Sequence, residues 1–429
     1  MTEDKTTATG SRVFLDLRPL RDSVNFRRIF IARTISLLGI GMLTVSVPIQ
    51  VYDLSDSTFL VGLVAAVEGI ATIGGMLAGG ILADRYDRRT LILFSRTMAG
   101  LTFAGLGVNA ILDSPSVTAI IILAVINGAF GSISVAALLA VIPSLIPSDQ
   151  MVGVGAINAL TVRLGAVLSP ILAGLIIAAW SVSWNYWITT IGTVITILIL
   201  SGLPSLPVPV HEPSDKDAAA DRDSTPINET ALQFLRRDRL VGGVIAIGVI
   251  AMIGSGLVAL IPGFVDEVFD GDSRTTGILF AAGAVGAVIA SFTSGWMAHL
   301  RRPGVVLMSA LAIGFVLQGA VGLTTTVLLA VPLLIAFGAA TTIQEVLRYN
   351  LIQINTPAPL LGRVNSLWAA QEVAGLSIGA LLAGAVGSFM AASTAVTVYS
   401  GILFVIALIG AAVLGRLRTY SPPKSSVLR

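Results

Sequence analysis

Three ionisable residues inside long apolar runs are the side chains of this sequence with the clearest potential for chemistry. They are Glu68, Arg163 and Glu372. A charge inside a membrane span is costly, so it usually pairs, faces a cavity, or lies on a substrate or proton path. We therefore take these three residues as candidates for proton coupling or substrate contact.

Each candidate also has a structural interpretation. Glu68 lies 16 residues before Asp84, about 24 Å along a helix and therefore near or beyond the bilayer midplane. It is either a protonated acid hydrogen-bonded between helices or a proton-coupling or substrate-contacting carboxylate. Arg163 and Glu372 lie about 10 Å inside their spans. A buried ion pair competes there with a role in binding, such as contact between Arg163 and an anionic substrate.

Other chemistries lack the residues they need. The chain has no cysteine, and its two histidines, His211 and His299, are far apart. Thiolate metal sites and cysteine nucleophiles are thereby excluded, and we expect no enzyme, metal site or cofactor. No glycine-rich loop with Lys and Ser or Thr is found, which argues against ATP as the energy source.

The composition indicates that these candidates lie in lipid. Hydrophobic residues make up 55% of the 429 residues, charged residues 12%, and the mean hydropathy is +0.90. Soluble domains carry roughly 25% charged residues. This chain lacks the charge to cover water-exposed surfaces, so it predicts a membrane protein.

Twelve apolar runs approach or exceed the roughly 20 residues that a transmembrane helix needs. The predicted spans, numbered 1 to 12 in chain order, are 29–52, 58–82, 91–112, 116–142, 156–179, 185–204, 241–263, 275–297, 304–325, 326–349, 365–387 and 393–415. We predict an all-α membrane protein in which the lipid bilayer is the principal partner.

Basic residues set the expected orientation. They gather before span 1, after spans 2, 6 and 8, before span 11 and after span 12, whereas Arg274 alone lies on the other side. The positive-inside rule therefore places both termini in the cytoplasm and the spans in the plasma (inner) membrane. Basic residues that flank apolar spans in this way determine membrane topology, so we expect no nucleic-acid partner.

The chain divides into two related halves. Residues 205–240 are the one long polar stretch between spans and predict a flexible cytoplasmic linker. The predicted organisation is listed in chain order: a cytoplasmic segment 1–28, a six-helix half 29–204, the linker 205–240, a second six-helix half 241–415 and a cytoplasmic tail 416–429. Two repeated halves around a linker are typical of secondary transporters.

The loop after span 2 carries a family resemblance. From Gly80 to Arg89 the chain reads GILADRYDRR, which resembles the signature loop of the major facilitator superfamily. Asp87 stands where the family usually has glycine, so the turn must form without glycine's access to positive φ. The resemblance implies the major facilitator fold, with twelve helices in two pseudo-symmetric halves.

Span 5 strengthens the resemblance. From Gly165 to Gly174 it reads GAVLSPILAG, similar to the exporter-type motif of that superfamily, with Ser169 and Ala173 in place of glycines. The arginine that many proton-coupled members carry in span 4 is missing, and Asn127 lies at about that position.

Within the superfamily the chain resembles the enterobactin exporter family along nearly its whole length. The segments that carry the resemblance are RTIS at 33–36, ADRY at 83–86, LTVRLG at 160–165, WNY at 184–186, LVGG at 240–243, TP at 356–357 and LGRVNSLW at 361–368. The resemblance implies export of a siderophore, in the setting of iron homeostasis. We predict a secondary active transporter that works by alternating access, with proton antiport as its energy source. A multidrug or macrolide efflux transporter shares this frame and remains the alternative. We expect the chain to act as a monomer.

A gate between the halves is expected from two groups of residues. Asp84 can pair with Arg363 or Arg96 and latch the cytoplasmic side, a switch that forms in one state and breaks in the other. The alternative for Asp84 and its neighbours Arg85, Arg88 and Arg89 is a loop that serves topology alone.

In span 5, Gly165, Pro170 and Gly174 predict a bendable helix. We expect it to seal against span 8 at Gly283 and Gly286. Ordinary close packing of small residues is the competing explanation. Glu345 and Arg348, three residues apart in span 10, predict a local ion pair.

Overall fold

The computed structural model describes residues 18–145, 151–204, 230–271 and 273–422, and all regular secondary structure in these ranges is helical. Twelve long helices, named α1 to α12, correspond one for one to the predicted spans. The first six are α1 Val24–Ser55, α2 Thr58–Ala83, α3 Arg88–Ile111, α4 Val117–Leu145, α5 Met151–Ala179 and α6 Val182–Ser201.

The second six begin with an interrupted helix. α7 consists of Arg239–Gly254, a 3₁₀ turn Ser255–Ala259 and Ile261–Phe269. The others are α8 Ser273–Phe292, α9 Pro303–Gly322, α10 Val327–Asn355, α11 Ala358–Gly387 and α12 Ala392–Val413.

These helices suit a bilayer. Eleven of them are long and apolar enough to span a membrane within the described ranges, and α5, with 29 residues, supplies the twelfth. The predicted fold class is confirmed, and the chain is a multi-pass membrane protein. α10 and α11 extend beyond the predicted spans and are separated only at Thr356 and Pro357, because the residue before proline disfavours helix. Arg363 consequently lies inside α11 rather than before it.

The break in α7 frees backbone carbonyls in a region where lipid offers no hydrogen bonds. Two side chains satisfy them. Gln318 Nε2 donates to the Gly254 oxygen at 3.3 Å, and the Tyr399 hydroxyl donates to the oxygens of Ile253 and Gly379. The break is thereby held by α9 and α12.

Each half has a core of its own, and a further cluster joins the two halves through Ala259 and Ala380. The largest buried cluster lies entirely in the second half, from Phe234 to Leu417, whereas others lie in the first half. Within the described ranges, the only non-glycine residues with positive φ are Asp56 and Asp270. They end α1 and α7, which are corresponding helices, and aspartate tolerates this left-handed conformation better than most residues.

Short helices precede the first helix of each half. Arg18–Asp22 leads into α1 and Ala231–Arg237 leads into α7. Another short helix, Gly415–Thr419, follows α12. Most of the predicted linker, 205–229, lies outside the described residues, so the proposed domain boundaries stay predictions.

Candidate functional site

A cavity of about 460 Å³ lies between the two halves. Helices α1, α2 and α4 line it from the first half, and α7 and α11 line it from the second. Most of its walls are apolar. Its polar side chains are Thr44, Glu68, Thr72, Asn127, Ser255 and Ser377. The cavity thus combines an apolar surface with a few polar groups, as small-molecule sites do.

Glu68 is part of the cavity wall rather than of the lipid-facing surface. Its Oε1 accepts a hydrogen bond of 2.8 Å from Asn127 Nδ2. Asn127 occupies the place where the sequence lacks the arginine of many relatives, but the sequence did not predict this contact. An amide can donate to a carboxylate or accept from a carboxylic acid, so this partner suits both protonation states of Glu68.

The halves meet closely at the end of the molecule opposite the Asp84 loop, here called the outer side. Thr58, at the start of α2, donates from its hydroxyl to the Gly384 oxygen of α11 at 3.2 Å. A β-carbon at Gly384 would collide with the Thr58 carbonyl oxygen, and one at Gly62 would collide with Ala380. Small residues are therefore needed where α2 and α11 touch.

A second seam joins α5 to α8. A β-carbon at Gly174 would lie 2.7 Å from the Gly277 oxygen, so the two backbones are in contact there. Span 5 does seal against span 8, but not at the expected residues. Gly283 and Gly286 pack against α10 instead. They lie about 9 and 13 Å farther along α8 than Gly277.

The remaining small-residue positions of span 5 pack within the first half. Gly165 lies against Leu37 of α1. Pro170 lies within α5 and is half-buried. Gly375 of α11 makes the matching contact with Met252 of α7. The glycine pairs spaced by nine residues thus have equivalent roles: one contact inside the half and one across the seam.

The Asp84 loop lies at the opposite end. Asp84 is exposed and has no partner in the described part of the chain, and Arg85 is also exposed. Asp87 has φ −54° and accepts a hydrogen bond from the Thr90 amide at 2.9 Å, so it caps α3 without glycine's freedom. The predicted latch is therefore not formed in this conformation.

The other basic gate candidates lie on α3 and α11. Arg88 is the first residue of α3 and is half-buried. Arg89 Nη2 donates to the Ser201 oxygen at the end of α6 at 2.6 Å. Arg363 is exposed on α11. The structure does not bring Arg363 or Arg96 into contact with Asp84.

Glu372 belongs to an ion pair of the second half in which the arginine is buried and the glutamate is half-buried. Its Oε1 accepts hydrogen bonds from Arg348 Nη2 at 2.7 Å and from Trp368 Nε1 at 2.6 Å. The Arg348 guanidinium also lies 5.4 Å from the centre of the Trp368 ring. Arg348 therefore pairs with Glu372 of α11, a contact that the sequence did not indicate. The charge of Glu345, the predicted partner, also acts on Arg348. Arg163 lies in α5, but its side chain is outside the described part of the structure.

The family follows from comparison with known proteins. The Major Facilitator Superfamily profile matches residues 29–371. The chain belongs to the major facilitator superfamily. Its major facilitator relatives include the enterobactin exporter EntS of Citrobacter koseri, 38% identical over 411 residues that cover 95% of this chain and 96% of the relative. EntS of Salmonella typhimurium is 38% identical, covering 96% and 98% of the two chains.

Solved major facilitator structures agree in fold. A bacterial homologue of the lysosomal transporter Spinster superposes with a TM-score of 0.73 at 14% identity, covering 95% of this chain and all of that one. The nucleoside transporter NupG gives 0.69 at 13%, covering 92% and 99%. At such identities the likeness concerns the fold alone. Together with the curated relatives, it places the chain among transporters rather than enzymes.

Proposed function

We propose that this chain exports a siderophore of the enterobactin type from the cytoplasm to the exterior. The observation that carries the proposal is its 37–38% identity to enterobactin exporters over about 95% of the chain. Both termini lie in the cytoplasm and the chain acts as a monomer in the plasma (inner) membrane. The distribution of basic residues supports this orientation.

The central cavity supports a small organic substrate. Its volume of about 460 Å³ falls within the roughly 300–1,000 Å³ typical of small-molecule sites. The apolar walls suit aromatic rings, whereas Glu68, Asn127 and Ser377 offer hydrogen bonds to hydroxyl groups. Residues from both halves line the cavity, so a relative movement of the halves changes the site.

Alternating access is supported by the position of the seams. The α2–α11 and α5–α8 contacts lie on the outer side, and the Asp84 latch at the other end is not formed. We infer that the present conformation receives substrate from the cytoplasm. Opening of the outer seams, with formation of a latch by Asp84 and a partner such as Arg363, then releases substrate to the exterior. Arg85, Arg88 and Arg89 support this gate.

Proton antiport is the proposed energy source, and Glu68 is the proposed proton carrier. Its place in the cavity wall lets substrate and proton compete for one site, and its bond to Asn127 holds the side chain in place. The membrane potential supplies about 2.3 kcal/mol per charge per 100 mV. Arg163 and Glu372 are assigned secondary roles in anion contact and in the cytoplasmic part of the path.

Export is tested in a deletion strain grown under iron limitation. We expect enterobactin-type siderophore to accumulate inside the cells and to fall in the medium, and the wild-type chain to restore export. Susceptibility to macrolides and efflux of dyes are measured in the same strains. Unchanged siderophore export together with increased macrolide sensitivity would instead favour the efflux alternative.

Proton coupling is tested with Glu68→Gln in proteoliposomes. The amide keeps a hydrogen bond to Asn127 but cannot carry a proton, so we expect substrate-driven proton movement to vanish while folded protein remains. Asp113→Asn, at an exposed acid between α3 and α4, is the control and should couple normally. Normal coupling in Glu68→Gln would remove Glu68 from the mechanism.

A further inference from the structure

Two arginines of the first half, one buried and one half-buried, have no counter-charge in the described part of the chain. Arg96 of α3 is only 3% exposed, and Arg33 of α1 is half-buried. The Nε of each is buried with no hydrogen-bond partner. Within the described residues neither side chain has an ion-pair partner. The charge of Arg33 acts on Arg96, so the two side chains lie within electrostatic reach of each other.

Such a pair is unfavourable by itself. A buried guanidinium has five N–H donors that seek acceptors, and a nearby like charge adds repulsion. Buried charges in membrane proteins almost always pair, face a cavity or mark a pathway. The described part of the first half offers these two arginines no carboxylate, so the arrangement calls for an anion from outside the chain.

The position of Arg33 connects this pair to the cavity. Ile40 and Thr44 line the cavity from α1, and Arg33 lies seven and eleven residues before them. These spacings correspond to two and three turns, so the three residues share one face of α1. Arg33 therefore lies about 10 Å below the cavity wall on the side of the Asp84 loop.

Contacts with α6 show that Arg96 and Arg33 lie at the same level along the helices. The Thr196 hydroxyl lies 3.4 Å from the Ala32 oxygen, next to Arg33. Gly100, one turn after Arg96, packs against Thr193, almost one turn before Thr196. Both arginines thus lie at about the level of Thr196, between the cavity and the Asp84 end.

We propose that Arg33 and Arg96 form a binding site for the anionic oxygens of the exported molecule, such as catecholate or carboxylate groups, on its way into the cavity. The assignment to the exported molecule rests on the proposed function. Guanidinium groups bind such oxygens through paired hydrogen bonds that are stronger than neutral ones. Because the ligand supplies the missing counter-charge, the site favours anionic over neutral molecules before they reach Glu68.

The test is equilibrium binding to the purified full-length chain in detergent without added phospholipid. The probes are iron-free enterobactin, its fully O-methylated form and 2,3-dihydroxybenzoate, a small catechol carboxylate. The variants are Arg33→Gln/Arg96→Gln, Arg33→Lys/Arg96→Lys and the control Arg301→Gln, at an exposed arginine outside the site. Thermal unfolding of each variant without ligand verifies that it is folded.

We expect the double glutamine variant to bind enterobactin at least about tenfold more weakly, since it loses charge-assisted hydrogen bonds. The lysine variant, which keeps charge but not the planar fork, should lose less. The O-methylated form should bind wild type weakly and be unaffected by the substitutions. Wild-type affinity for enterobactin and 2,3-dihydroxybenzoate in a folded double glutamine variant would overturn the site.

The small probe separates this site from the proposed function. If wild type binds 2,3-dihydroxybenzoate through Arg33 and Arg96 but does not bind enterobactin, the anion site stands and the siderophore assignment fails. Phosphatidylglycerol is added in a parallel titration to test for a lipid phosphate. Arginine-dependent stabilisation by that lipid, without any by the catechol probe, would assign the site to lipid and overturn the proposal.

Discussion

The two halves bury arginine in opposite ways. In the second half, Arg348 is 2% exposed and paired with Glu372, which also receives a hydrogen bond from Trp368. In the first half, Arg33 and Arg96 are placed together with no acid. The contrast teaches that the counter-charge, rather than burial, distinguishes a structural arginine from one available to a ligand. Four predictions test how far the comparison between the halves extends.

The largest effect is expected at Arg348. Arg348→Met leaves Glu372, whose side chain is 35% exposed, without its counter-charge. Breaking a fully buried ion pair typically costs about 3–5 kcal/mol, and solvent screening at Glu372 lowers that cost. We expect a marked loss of thermal stability in detergent, measured by fluorescence-detected size exclusion after heating. Arg348→Met/Glu372→Leu, which removes both charges, should recover much of the loss. Equal losses in the single and double variants would show that packing, not the ion pair, matters.

The outer seams should respond alike in the two halves. Leucine at Gly384 collides with Thr58, and leucine at Gly174 collides with Gly277. Overpacking costs about 1–3 kcal/mol, so we expect Gly384→Leu and Gly174→Leu each to lower stability and export. Gly401→Ala, with open space at its β-carbon, is the control. A loss at one seam only would break the symmetry inferred from the glycine spacing.

Substitution of Arg96 should change thermal stability in the opposite direction to substitution of Arg348. Replacing an uncompensated buried charge with an apolar side chain removes the penalty of holding that charge out of water, with no ion-pair attraction lost in exchange. We therefore expect Arg96→Met to unfold at a higher temperature than wild type in the absence of ligand, while export declines. Destabilisation comparable to that of Arg348→Met would end the contrast between the halves.

The smallest change in stability is expected in the Asp84 loop. Asp84 is exposed and without a partner in the described residues, so Asp84→Asn should alter unfolding by no more than about 0.5 kcal/mol. Export should nevertheless fall, because the proposed latch needs the carboxylate in the other conformation. His299→Asn changes the corresponding, exposed position after α8 and should leave export intact. Normal export by Asp84→Asn would limit the loop to a role in topology.

The sequence predicted the helices better than their contacts. Apolar run length decides whether a segment spans lipid, so the twelve helices and the intramembrane position of Glu68 could be read from the chain. The small residues Gly165 and Gly174 indicated that α5 packs closely against α8. They could not show that Gly174 meets Gly277 rather than Gly283, because that depends on how far α5 and α8 slide past each other.

The partners of the charged residues were hidden for the same reason. Asn127 is 59 residues from Glu68 and Arg348 is 24 from Glu372, so helix periodicity carries no information about either contact. In the sequence, Arg33 stands out only as part of a segment shared with the family. Its spacing of seven from Ile40 is visible in the sequence, but it gains meaning only when Ile40 is known to line the cavity.

The held break in α7 has a kinetic consequence. Gln318 and Tyr399 hydrogen-bond the carbonyl groups around Gly254, so the bend in α7 is rigid rather than a flexible hinge. The outer segment of α7 should then move as one rigid body with α9, α11 and α12 rather than independently of them. Release of substrate to the exterior would then be one concerted step with a single rate constant. Removal of the Tyr399 hydroxyl would divide this release into two kinetic steps.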